Sequence, residues 1–276
     1  MPPPSSATVS RDQRVRVAAD QLIAAATARR PCAPVRHDLP DTDPATGYAV
    51  QQLLTQDRLA HGAHVIGRKI GLTSLAVQAQ LGVDQPDFGV LFDDMRVASA
   101  ETVALGRLLQ PKIEAEIAFV LATDLSDPTT DAGQARAAVE YAVAALEIVD
   151  SRIAGWDITL VDTIADNASC GLVVLGDTRV PLDDADLRTV QMSMTDRSSS
   201  VVSSGEGAAC LGDPLEALAW LARTAAALGD PLRSGELVLS GALGPMVPVR
   251  PGDEFTAELS GFGRVSVRFA TAEEKS

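Results

Sequence analysis

The sequence predicts a mixed α/β fold, with a helical region at the N-terminus and a core built mostly of strands. Three observations point there. With 276 residues, 46% of them hydrophobic and 22% charged, the chain can bury a substantial core, which excludes a disordered or fibrous protein. Over residues 11–30 the apolar side chains Val15, Ala18, Ala19, Leu22, Ile23 and Ala26 recur at steps of three and four, the pattern of an amphipathic helix. Beyond Gly62 the texture changes to short β-like runs separated by Gly, Pro and Asp.

Taken in order, residues 1–10 are rich in Pro and Ser and are expected to fray. The first helix should stop at Pro31. A second should start at Asp43-Pro44, an N-cap followed by proline at the first helical position, and run through Tyr48, Val50, Leu53 and Leu54 toward His61. Strand-like runs follow at 65–70, 113–121, 144–149 and 171–175. Further helices are expected at 131–142 and at 213–227, the latter with a broad apolar face. The end returns to strands at 236–240, 255–259 and 264–269, the last two forming a hairpin around Ser260-Gly261-Phe262-Gly263.

The 23 basic and 37 acidic residues leave a net charge of −14 with no basic cluster, so no nucleic-acid partner is expected. Cys32, Cys170 and Cys210 show neither a disulfide framework nor a zinc spacing, and suit reduced thiols. The N-terminus lacks the features of a signal peptide, and no apolar run reaches the roughly 18 residues of a membrane span. A cytoplasmic protein with no membrane partner is the expectation.

The segment Gln110-Pro111-Lys112-Ile113-Glu114-Ala115-Glu116-Ile117 carries the strongest chemical signal. In a strand, Glu114 and Glu116 fall on one face and Ile113, Ala115 and Ile117 on the other. Glu147 stands inside the apolar run Ala144-Ala145-Leu146-Glu147-Ile148-Val149, where a charge is costly unless paired or metal-bound. Three carboxylates without a nearby histidine or thiolate suit a hard cation, Mg²⁺ or Mn²⁺. The spacing equally fits Glu114 and Glu116 on the wet face of an edge strand, with Glu147 paired to an arginine such as Arg152. Lys69, between Gly67 and Gly71, and Asp87, between Pro86 and Phe88, could form a buried acid/base couple, or be a surface lysine and a turn aspartate. The small, polar run from Asp162 to Gly171 suits a backbone bent close to a ligand, or an ordinary loop. No phosphate loop, dinucleotide fingerprint or G-x-S-x-G elbow occurs. His61 and His64 lack an acidic partner at metal-binding spacing and read as surface residues, and neither Cys170 nor Cys210 has a histidine base.

Together these segments resemble the 2-keto-4-pentenoate hydratase (2-hydroxypenta-2,4-dienoate hydratase) family of the fumarylacetoacetate hydrolase superfamily. The resembling strings are GRKIGLTS at 67–74, LGVDQPDFGVLFDDM at 81–95, LQPKIEAEIAFVL at 109–121, ALEIVDSRI at 145–153, DTIADNASCG at 162–171, and the block from CLGDPLEALAWLA through GELVLSGALGPMVPV. The resemblance implies a mainly helical region at 1–79 and a catalytic core of the fumarylacetoacetate hydrolase C-terminal type at 80–276, with strongly curved sheets forming a roll or barrel-like sandwich. It implies a divalent metal on Glu114, Glu116 and Glu147, an acid/base pair of Lys69 and Asp87, and substrate contacts from Ser169 and Ser240. The implied activity is hydration of a small dienol or 2-oxo acid to 4-hydroxy-2-oxopentanoate in aromatic meta-cleavage catabolism, by a homo-oligomer. The related 4-oxalocrotonate decarboxylase is the alternative. Hydrolysis of a C–C bond is less suited, because that branch places a histidine and glutamate pair on a lid and this chain has histidine only at 37, 61 and 64.

Overall fold

The computed structural model describes residues 10–74, 78, 83, 85–183 and 185–271. The expected fraying of residues 1–9 and the expected division at 79/80 lie outside them. Helix α1 (Arg11–Ala28) starts where Ser10 accepts a hydrogen bond from Gln13 N–H. It ends two residues before Pro31 would require, because Arg29 turns left-handed (φ 51°) and the chain closes on Ala25 O through Arg30 N–H at 3.0 Å. Helix α2 (Pro44–Ala60) begins as the sequence indicates, with Asp43 accepting from Ala45 N–H and proline at the first turn.

These two helices pack on a third, short one. In the sequence α3 (Ala132–Ala137) comes before α4 (Leu160–Ala165), and α4 shares a small core with the N-terminal pair. Val15, Leu22, Val35, Val50, Val161 and Ala165 are among its buried members. The α2–α4 crossing is close because Gly47 has no side chain: a Cβ there would lie 2.9 Å from Ile164 Cγ2 and 3.0 Å from Val161 O. Gly47→Ala should therefore cost about 1–3 kcal/mol by overpacking, read as a lower midpoint in urea with an unchanged slope.

The core contains two sheets. Its first six strands are β1 (Val65–Gly71), β2 (Asp87–Phe92), β3 (Arg96–Val97), β4 (Thr102–Val103), β5 (Pro111–Leu121) and β6 (Val139–Asp150). They are followed by β7 (Cys170–Leu175), β8 (Gln191–Asp196), β9 (Val201–Glu206), β10 (Leu237–Leu239), β11 (Val247–Pro248), β12 (Glu254–Leu259) and β13 (Gly263–Phe269). One sheet has the order β2-β1-β10-β5-β6-β7-β3, with β11 also on β5; the other runs β4-β13-β12-β8-β9. The C-terminal hairpin β12–β13 forms as predicted. Helix α5 (Pro214–Ala227), capped by Asp213, covers the core with Leu215, Leu218, Ala219, Leu221 and Ala222.

Alternation along the long central strands decides what each face does. On β5, Ile113, Ala115, Ile117, Phe119 and Leu121 are all at most 1% exposed and enter the main core, together with Leu146 and Ile148 of β6 and Val265 and Val267 of β13. Full burial of each large apolar side chain contributes roughly 1.5–3 kcal/mol. The opposite face of β5 and β6 carries the even-numbered residues of β5 and the odd-numbered ones of β6. The glutamates lie there.

One expected element is shorter than its pattern. The helix expected at 131–142 stops at Ala137, and Val139, Tyr141 and Ala142 instead extend β6, pairing with Leu121, Val120 and Phe119. A β-branched and an aromatic residue opposite a long apolar strand gain more from pairing there than from another helical turn. No helix among the described residues is long and apolar enough to cross a membrane.

Candidate active site

The β5–β6 register sets Glu114 directly opposite Glu147, and Glu116 two residues further along the same face. All three are buried, Glu116 and Glu147 completely, and one carboxylate oxygen from each lies within 4.8 Å of the others. The wet-face reading of Glu114 and Glu116 is thus excluded. The pairing of Glu147 with Arg152 is not observed either: Arg152 binds Asp166 at 2.5 Å, and Glu147 meets Lys69 Nζ at 3.3 Å.

Lys69 reaches this face because β1 alternates in the same way. Ile70 enters the main core, while Lys69 turns toward the glutamates and is 3% exposed. Asp87 opens β2 opposite Gly71, where an added Cβ would stand 2.2 Å from Asp87 Oδ1 and 3.5 Å from Lys69 Nζ. Glycine at 71 is what lets the aspartate and the lysine border one space. Thr163 of α4 donates to Asp87 Oδ2 at 3.0 Å.

Glu116 is held from the other side. Between β10 and β11 the chain leaves β5, with Ser240 N–H donating to Ile117 O and Leu243 N–H to Ala115 O. In that break Gly241 N–H donates to Glu116 Oε2 at 2.8 Å. Gly241 has φ 105°, and a Cβ would lie 2.2 Å from Thr73 Oγ1, so both the conformation and the space require glycine. Ser240 is fully buried, with its hydroxyl 3.2 Å from Gly241 O. Ser169 ends a run of three left-handed residues, Asn167, Ala168 and Ser169, and its hydroxyl donates to Asp166 over a long 3.4 Å. That run packs on β2, where a Cβ at Gly89 would collide with Asn167 O and Cys170 Sγ.

The electrostatics are unbalanced. Four buried carboxyl groups, Asp87, Glu114, Glu116 and Glu147, face the single ammonium of Lys69. Burial pushes Glu114 up to about 7, and Glu147 opposite adds to the rise. Glu116 is raised well above the ordinary range by burial and by both other glutamates. Burial also raises Glu147, although Lys69 opposes it, and raises Asp87, against Lys69 and Thr163. Burial alone would lower Lys69, but Glu147 and the surrounding anions outweigh it and keep it protonated. Burial pushes the Cys170 thiol far up, so no thiolate nucleophile forms beside Lys69.

This donor set fits a divalent cation. Glu116 Oε1 and both oxygens of Glu147 lack a hydrogen-bond partner among the described residues, the Lys69–Glu147 contact being an ion pair without hydrogen-bond alignment. Unpaired buried anions are costly, and a hard cation bound only by oxygens offsets that cost. A separate cavity of about 310 Å³ lies between α1, α2 and the end of β2, lined by Leu22, Leu54, Phe92 and Met95 among others. It touches Cys170 and Asn167 but not Asp87, Glu114, Glu116 or Glu147, and its mainly apolar lining is broken by Asp57, Arg58 and Arg152.

Residues 65–270 match the family model for the fumarylacetoacetate (FAA) hydrolase C-terminal domain. The chain is also 53% identical over 257 residues to a 2-keto-4-pentenoate hydratase of Paraburkholderia xenovorans strain LB400, spanning 93% of this chain and 95% of that one. The chain belongs to the 2-keto-4-pentenoate hydratase family of the fumarylacetoacetate hydrolase superfamily. A Pseudomonas putida F1 protein named TodF product hydratase is 53% identical over 268 residues, 97% of this chain and all of that one. Among solved structures, the 4-oxalocrotonate decarboxylase of Pseudomonas putida G7, complexed with magnesium and adipate, matches with a TM-score of 0.89 at 35% identity over 95% of this chain and 99% of that chain. The resemblance drawn from the six segments is confirmed, and with it the mixed α/β fold of this superfamily.

For this hydratase-family chain, the structure brings together Lys69, Asp87, Glu114, Glu116 and Glu147, and sets Ser240 beside the Gly241 amide that holds Glu116. Sequence reasoning missed Gly71, Gly241 and Thr163. The glycines flanking Lys69 and following Ser240 were visible, but their need for empty space beside a particular atom was not. The Arg152–Asp166 pair, which anchors the left-handed run, was also missed, although both residues stand in resembling strings.

Proposed function

We propose that this chain is a hydro-lyase that adds water to 2-hydroxypenta-2,4-dienoate (2-keto-4-pentenoate) and forms 4-hydroxy-2-oxopentanoate. The observation that carries the reading is 53% identity to named hydratases over nearly the full length of both chains. The buried glutamate, lysine and aspartate face supplies the chemistry that such a reaction needs. The decarboxylase match, at 35% identity, supports the same fold rather than the same reaction.

A divalent cation held by Glu114, Glu116 and Glu147, Mg²⁺ or Mn²⁺, supplies when bound Lewis-acid stabilisation of negative charge on the substrate's 2-oxygen. Ketonisation removes the proton of the 2-hydroxyl and adds one at C5, leaving C3=C4 conjugated to the 2-oxo group. Asp87 Oδ1, which has no hydrogen-bond partner among the described residues, is the base for the next step. The water oxygen bonds to C4, its proton goes to Oδ1, and the C3=C4 electron pair moves toward the C2 oxygen. C3 then takes a proton from the Lys69 side as C2=O re-forms. Ser169, loosely held at 3.4 Å, turns its hydroxyl to the substrate, and Ser240 borders the carboxylate end.

Cytoplasmic location, assembly as a homo-oligomer and a place in aromatic meta-cleavage catabolism are part of the same proposal. The test is an ultraviolet assay of freshly generated dienol with metal-stripped protein, repeated with Mg²⁺ or Mn²⁺ restored, the product being weighed by mass spectrometry. Metal-dependent formation of a product heavier by one water is expected. No dienol turnover, together with CO₂ release from 4-oxalocrotonate, would replace the reading by the decarboxylase.

A further inference from the structure

We infer that Thr163 is a positioning residue for Asp87: its hydroxyl occupies Oδ2, turns the carboxylate plane, and leaves Oδ1 as the oxygen aimed at the reacting water. The inference rests on the hydration reading and adds to it a residue that touches neither metal nor substrate. Three observations carry it. Thr163 Oγ1 donates to Asp87 Oδ2 at 3.0 Å in a buried contact between elements 76 residues apart in sequence. The other oxygen, Oδ1, is buried without a hydrogen-bond partner among the described residues. It lies where a Cβ at Gly71 would be 2.2 Å away, and that same point is 3.5 Å from Lys69 Nζ, so the unpaired oxygen faces the space the lysine borders.

A carboxylate on one Cβ turns freely about its last bond unless something holds one oxygen. A hydroxyl donor does so without adding charge, and charge-assisted bonds of this type are the stronger ones. With one lone pair of Oδ2 taken by the hydroxyl, Oδ1 is the oxygen left unpaired beside the lysine among the described residues. Thr163 itself is set by α4, which Gln51 of α2 ties to β2 by donating from one amide to Phe88 O at 2.8 Å and to Ile164 O at 3.0 Å. These two carbonyls belong to the residues immediately following Asp87 and Thr163. The Gln51 bridge therefore keeps α4 on β2 even when the Thr163 hydroxyl is removed, and a valine variant should fold.

The experiment compares wild type, Thr163→Val, which keeps the shape and removes the hydroxyl, and Thr163→Ser, which restores it, all assayed on dienol with saturating Mn²⁺. Thr163→Val should lower kcat about 10- to 100-fold while KM stays within about twofold, since only the orientation of the proton acceptor changes. Its Mn²⁺ affinity, measured by titration, should equal that of wild type. Thr163→Ser should return kcat to within about threefold of wild type. Unchanged kcat in Thr163→Val would overturn the inference, as would a serine variant as slow as the valine one, or a loss confined to KM. A wild-type chain that does not hydrate the dienol overturns the hydration reading and this inference with it; wild-type turnover with an indifferent valine variant overturns the inference alone.

Discussion

Replacing Glu114 and Glu116 together by glutamine should abolish Mn²⁺ binding at millimolar concentrations and lower turnover of the dienol by about 10³-fold or more, since several kcal/mol of charge stabilisation disappear at 1.36 kcal/mol per factor of ten. The same change should stabilise the metal-free protein. A carboxyl whose folded pKa lies above its unfolded value holds its proton more tightly when folded, so stability is lost as pH rises through the interval between the two. For Glu114 that interval runs from 4.5 to about 7. Glu116 and Glu147 are shifted in the same direction, so metal-stripped wild type should melt lower at pH 8 than at pH 5. The double glutamine variant should show a weaker pH dependence and exceed metal-free wild type at pH 8. Mn²⁺ at 100 times its dissociation constant should raise wild-type stability by about 2.7 kcal/mol and leave the variant unmoved. Full activity in the variant would sink the metal site, and so would a wild-type melting temperature indifferent to Mn²⁺.

Part of that site is legible in the amino-acid sequence alone, and the reason is strand periodicity. The pair at 114 and 116 announces a shared face because the side-chain period of a strand is two, and Glu147 is conspicuous as a charge inside an apolar run. What the pattern leaves open is whether the face is wet. The answer lies in neighbours far along the chain: β10 and the Ser240–Gly241 break close one side of β5, and Lys69 lies over Glu147. Lys69 and Asp87 carry little weight alone, since a lysine between glycines and an aspartate after proline are ordinary turn material. Their place in resembling strings singles them out, and the β1–β2 register sets Asp87 opposite Gly71. Strands β8 and β9 escape notice because Gln191–Asp196 is short and buries only Met192 and Met194, while Val201–Glu206 mixes polar residues into both faces and is only partly buried. The helix expected at 131–142 fails for the opposite reason, since a segment with fair helical propensity finds a better partner in β5. Thr163 leaves no local signal, because its role exists only once α4 stands against β2.

Lys69→Met should leave Mn²⁺ bound and lower kcat by about 10²–10⁴-fold, the range for removing a group that moves a proton in the transition state. The separation follows from where Lys69 stands. Its ammonium contacts Glu147 Oε1 at 3.3 Å and competes with a cation for that carboxylate, so its removal should leave Mn²⁺ affinity equal or higher. Without metal the consequence reverses. Breaking a buried ion pair by removing one partner costs about 3–5 kcal/mol, because Glu147 is left charged and uncompensated or must take up a proton. The metal-free methionine variant should accordingly melt well below wild type, and Mn²⁺ should recover most of the difference. Melting curves with and without Mn²⁺ therefore test the placement of Lys69, and steady-state kinetics at saturating Mn²⁺ tests its chemistry. A variant that loses Mn²⁺ binding would reduce Lys69 to an organiser of the carboxylates, whereas one that binds Mn²⁺ and turns over at the wild-type rate would move the proton transfer to Asp87 alone.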